Sequence, residues 1–205
     1  QLNVVWEFGR VSGRTNVVLD VQDENGTMVT FKMSGDGQGT IVGGNDFTEI
    51  ILTGTSDNSK LKITSDKDAP LVTLNDITVL GPLNAVKAKA CNLEGIFSVD
   101  GTLGKVQAAG AFGATVDVDG VAEPVKKLQF DQVQDLAIDL ACGIKKIQVA
   151  EWTDVDGTPD TLQALWINKI QTKGRKEKNG LPALAGDLDV DITLTGAYKD
   201  YRSEE

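Results

Sequence analysis

Five segments of this chain follow one stencil: an apolar residue, two free positions, a second apolar residue, a polar residue and a closing residue. They run from Leu83 to Ala88, Leu103 to Ala108, Val125 to Phe130, Ile144 to Val149 and Ile167 to Thr172. The starts at 83, 103, 125, 144 and 167 are separated by 20, 22, 19 and 23 residues. A fixed period of this size is the mark of a solenoid, in which each repeat buries its apolar face only against its neighbours.

The stencil has physical content. Ile147 and Val149 are two apart and share one face of a strand, while Gln148 between them faces the other way. Ile144 lies three before Ile147, which breaks the period of two. A bend at Lys145-Lys146 lets both isoleucines point inward. The equivalent corners are Gly104-Lys105, Lys126-Lys127 and Asn168-Lys169. Stacked coils would then pile Gln107, Gln129, Gln148 and Gln171 into an outward amide ladder at roughly 4.8 Å steps.

A second alternating segment follows in most coils, from Leu93 to Gly101, Phe112 to Gly120, Leu136 to Leu140 and Leu188 to Ile192. Each coil therefore holds at least two short strands, with room for a third and none for a helix of ordinary length. Leucine-rich repeats have a similar period, but neither an asparagine ladder nor a helical segment is present. The reading is all-β: a right-handed parallel β-solenoid (β-helix), the hand following from strand-crossover chirality. Residues 1–75 form an N-terminal β region, a hairpin cap or irregular first coils, with a hairpin signal at Asn25-Gly26. Residues 76–196 carry the repeats, with a charged insertion at 173–180, and 197–205 form a polar tail.

Composition narrows the function. The 205 residues carry a net charge of −10, which argues against nucleic-acid binding. No run approaches a membrane span. The start at Gln1, without a signal peptide, is what a processed chain or an excised piece of a longer one presents. Histidine is absent, which removes the commonest general base and transition-metal ligand.

The order "NGTMVTFKMSGDGQGTI", "LTGTSDNSKLKITS", "LNDITVLGPLNAVKA", "LEGIFSVDGTLGKV" resembles repeat segments of large surface or secreted proteins, mostly from planctomycetes and related bacteria. The resemblance covers roughly residues 18–120. It implies an extracellular or cell-surface β-solenoid without an assigned activity, so no catalytic residue is carried over from it.

Several residues are candidate sites. Asp117 and Asp139 each lie 14 residues after their coil's first apolar position, so they should stack. A calcium ion would relieve their repulsion, with Asp119 as a third donor, against the reading of a solvated acidic face. The "TDVDGTPD" loop (153–160) looks like part of a calcium loop but lacks the full spacing and the closing glutamate. A polysaccharide lyase would need an Arg or Lys base among clustered carboxylates. The four arginines, Arg10, Arg14, Arg175 and Arg202, all fall outside the regular coils, and the corner lysines repeat like decoration. Cys91 and Cys142 should sit two coils apart, too far for a disulfide. Trp166 should face outward, and Trp152 and Trp166 are candidate sugar platforms, against packing as the alternative.

The expectation is a structural or adhesive module with no catalytic, cofactor-binding or metal residues assigned. The rivals are a carbohydrate-binding or carbohydrate-cleaving β-helix and a filament subunit that stacks on a like solenoid end.

Overall fold

A computed structural model describes residues 5–44, 46–177 and 183–196. Within them every regular element is a strand. Coils of about 22 residues stack in parallel for about five turns.

Each full coil has three faces. Face A stacks Glu49–Thr53, Asp76–Leu80, Ile96–Val99, Thr115–Val118, Ala137–Leu140, Thr161–Ala164 and Asp191–Leu194, all parallel. Face B stacks Lys60–Ser65, the first halves of Leu83–Leu93 and Leu103–Phe112, then Lys127–Gln129, Ile147–Val149 and Ile170–Thr172. Face C stacks Val72–Leu74, the second halves of the same two long strands, Gln132–Gln134 and Glu151–Thr153. A register shift between Ala108 and Gly110 lets the long strands turn the corner from B to C.

The stencil residues occupy one register. Leu103 pairs with Leu83, Val125 with Ile144, and Ile144 with Ile167. Ile144, Ile147 and Val149 are buried on both sides of the Lys145-Lys146 corner. The amide ladder forms as expected: Gln107 pairs with Gln129, Gln129 with Gln148, and Gln148 with Gln171. Gln107 Nε2 donates to Gln129 Oε1 at 2.8 Å. One apolar core runs along the axis, from Phe8 through Leu61, Val86, Val106, Leu128 and Ile147 to Leu162. Each fully buried side chain of this size contributes about 1.5–3 kcal/mol relative to exposure.

The two ends differ. At the N-terminal end the strands run antiparallel. Val5–Val11 pairs with Gln38–Val42 at the edge of face A and also with Arg14–Gln22. Arg14–Gln22 pairs in turn with Met28–Ser34 at the edge of face B. The hairpin Val5–Gln22 thus bridges the two sheet edges, and its Trp6, Leu19 and Val21 pack on the core. Phe8, Phe31 and Phe47 form an aromatic cluster beneath it, with centroids 5.7 and 5.2 Å apart. At the other end the last described strand, Asp191–Leu194, is exposed throughout and, among the described residues, pairs with Thr161–Ala164 alone.

The charged segment from Lys173 is described as far as Glu177; residues 178–180 and the tail 197–205 lie outside the described residues. Arg175 pairs with Leu184 as an isolated antiparallel bridge. Ala185 N donates to Glu151 Oε1 at 2.8 Å, which ties this excursion to face C.

Candidate functional site

A groove of about 800 Å³ runs along the solenoid axis over the corner between faces B and C. Its rows come from successive coils: Leu71, then Asn92, Gln107, Gln129, Gln148 and finally Arg175. The amide ladder forms one wall, because the strand period of two sends the residue between each pair of core positions outward. Phe112, half-buried, covers Gly110 where a larger residue would collide with the ring. Lys173 to Arg175 close one end, with the Arg175 guanidinium paired to Asp131. The side-chain oxygen of Asn92 is buried without a hydrogen-bond partner beneath this surface.

A second feature lies at the "TDVDGTPD" loop. Among the described residues, Asp135, Asp154 and Asp160 form a group in which one carboxylate oxygen from each lies within 4.8 Å of the other two. Asp135 adopts a left-handed φ of 53°, a conformation aspartate tolerates. It accepts the amides of Val155 at 2.8 Å and Asp156 at 3.1 Å. Asp154 accepts Gly157 N at 2.9 Å and Asp156 accepts Thr158 N at 2.6 Å. Asp160 is only 5% exposed and accepts the indole N–H of Trp152. Burial pushes its carboxyl pKa up. Bonds from the Leu136 amide and Trp152 oppose that rise, and Asp135 and Asp154 add to it. The loop's own amides thus hold one oxygen of Asp135 and one of Asp154, while Asp160 is held by Trp152.

The structure sorts the sequence candidates. Asp117 and Asp139 do stack, paired in register. Burial raises the Asp117 carboxyl, and Asp119, Asp139 and Asp100 reinforce the rise. Asp119 does not join them in a group of three close donors; the trio that meets is the one around Asp135. Asp139 is held from the next coil by Gln163 Nε2 at 2.9 Å. Trp152 is fully buried, so it is a core residue and no sugar platform. Trp166 is 43% exposed and lies flat over Gly143 of the preceding coil, where any Cβ would overlap the indole. It packs against that glycine. Cys91 and Cys142 are free and buried; burial pushes the Cys91 thiol up to about 12.

Two of these placements were within reach of the register. Asp135 and Asp154 both lie ten residues after their coil starts, at 125 and 144. Trp152 lies eight after Ile144, as Val133 lies eight after Val125, and Val133 is an inward residue paired with Trp152. Comparison with family models, with curated proteins and with solved structures finds no match.

Proposed function

We propose that this chain is a structural or adhesive module of an extracellular or cell-surface protein, a rigid stack without catalysis of its own. The observation that carries the reading is the uninterrupted parallel stack on one continuous core, capped at one end. Such a body is stiff along its axis because each coil is fixed by strand ladders to both neighbours. The resemblance of residues 18–120 to repeats of planctomycete-type surface proteins supports the location. The close carboxylates of the trio are engaged by the loop's own amides and Trp152, which suits loop fixation better than proton transfer. The test is incubation with a panel of neutral and acidic polysaccharides, followed by assay of new reducing ends and unsaturated products. No turnover is expected. Sustained release that a Asp160→Asn substitution abolishes would contradict the reading.

A second reading has an observation of its own. The axial groove, walled by side-chain amides, suits a slender polymer with hydroxyl groups, so a carbohydrate-binding solenoid is the favoured form of the adhesive role. The filament reading has only the exposed last strand in its favour, and the capped N-terminal end offers that strand no matching open edge.

A further inference from the structure

The charges of this chain are segregated to an unusual degree. The six face-B segments 60–65, 83–89, 103–108, 125–130, 144–149 and 167–172 hold ten lysines: 60, 62, 87, 89, 105, 126, 127, 145, 146 and 169. The same segments hold no aspartate or glutamate, in a chain with 30 acidic against 20 basic residues. Half of the protein's Lys and Arg therefore lie along face B and its corners, on an acidic molecule.

The register makes this a column. Lys105 pairs with Lys127. The pairings Leu128 to Ile147 and Ile147 to Ile170 place Lys127 beside Lys146 and Lys146 beside Lys169. Four lysine backbone positions thus repeat at strand spacing, roughly 4.8 Å per coil. Among the described residues, the ion pairs are Arg10 with Asp36 and Arg175 with Asp131, so none of these lysines is ion-paired to another described residue. The Lys127 ammonium is pushed down by burial and by Lys146, Lys105 and Lys89. Stacking like charges costs stability, and a polyanion bound across the column would offset that cost.

The amide ladder runs beside the lysines. Lys105 and Gln107, like Lys127 and Gln129, are two apart on the outward side of one strand, so a line of cations flanks a line of hydrogen-bonding amides along the groove. We propose that this face binds a linear anionic polysaccharide laid along the solenoid axis, its acidic groups on the lysines and its hydroxyls on the glutamines. The proposal names the partner of the adhesive reading and rests on it. Single-stranded nucleic acid fits less well: non-specific strands are held by successive exposed aromatic platforms, whereas the aromatic lining here is a half-buried Phe112 and a buried Phe130 beside an amide wall.

The test is binding of polygalacturonate and of dextran sulfate to the whole chain at low and high salt. Uncharged dextran and an oligothymidine strand serve as comparisons. Polyuronate or sulfated glycan should bind, salt should weaken binding, and dextran should not bind. The variant Lys105→Gln/Lys127→Gln/Lys146→Gln should lose about tenfold or more in affinity. Its melting temperature should be equal or higher. The variant Asp100→Asn/Asp117→Asn/Asp139→Asn on face A should bind as the parent does, and arginine at the three lysine positions should retain binding. No binding of either anionic glycan, equal binding by the glutamine variant, or tighter binding of oligothymidine would overturn the proposal. So would self-association that the glutamine variant abolishes while neither glycan binds, since the partner would then be a second copy. Glycan cleavage with binding intact would sink the non-catalytic reading and leave the site standing.

Discussion

At the residue scale, most positions do one of two jobs, and the alternation of strands decides which. Ile147 is buried at the centre of the stencil, so Ile147→Ala should cost about 2–5 kcal/mol in denaturant unfolding through lost burial and the cavity it leaves. Asp117 shows the opposite sign. Its carboxyl is raised above 3.8 by burial and by Asp119, Asp139 and Asp100. The folded form therefore holds its proton to higher pH than the unfolded chain. The resulting penalty is fully present above the raised pKa and absent below 3.8. Asp117→Asn should raise the melting temperature at pH 7, and the gain should vanish as pH falls below that value. An unchanged gain at low pH would contradict the electrostatic cause. Cys91, buried with its thiol pushed up to about 12, should resist alkylation in the native protein and react once it unfolds. Mass spectrometry after timed exposure to iodoacetamide measures this.

At the element scale, the fold was legible where the chain repeats itself and obscure where it does not. The stencil's apolar spacing places Leu103 against Leu83 and Ile144 against Ile167, because a slip of one residue would turn every core side chain outward. The Gln107 to Gln171 ladder follows from the same register. The trio of Asp135, Asp154 and Asp160 was not foreseen, although the shared offset of Asp135 and Asp154 carries the signal. Asp160 enters it through the course of a loop, which alternation does not describe. The lysines of face B looked like corner decoration taken one coil at a time. Their significance needs the absence of acid from six segments at once, together with the register that stacks them. Close approach between coils was equally hidden. Gly104 lies where a Cβ would overlap the backbone oxygen of Asn84 in the coil before. Gly104→Ala should therefore destabilise by about 1–3 kcal/mol, because backbone must move to admit the methyl group. Wild-type stability in chemical denaturation would show that the coils stand further apart than described.

At the scale of the whole molecule, the described residues form a stack closed at one end by a hairpin, with two unlike sides. The hairpin Val5–Gln22 joins the edges of faces A and B, which shields strand edges that would otherwise recruit other chains. Stability should be close to a sum over coils and their interfaces. The central claim is that these coils form one rigid, in-register column. Lys62, Lys87, Gln107, Gln129, Gln148 and Gln171 occupy one line of it. Nitroxide labels at positions 62 and 171 are then five strand steps apart, about 24 Å between backbones. A pulsed dipolar measurement should give a single narrow distribution near that value, allowing for the label arms. A broad distribution, or one centred far from it, would contradict the stack.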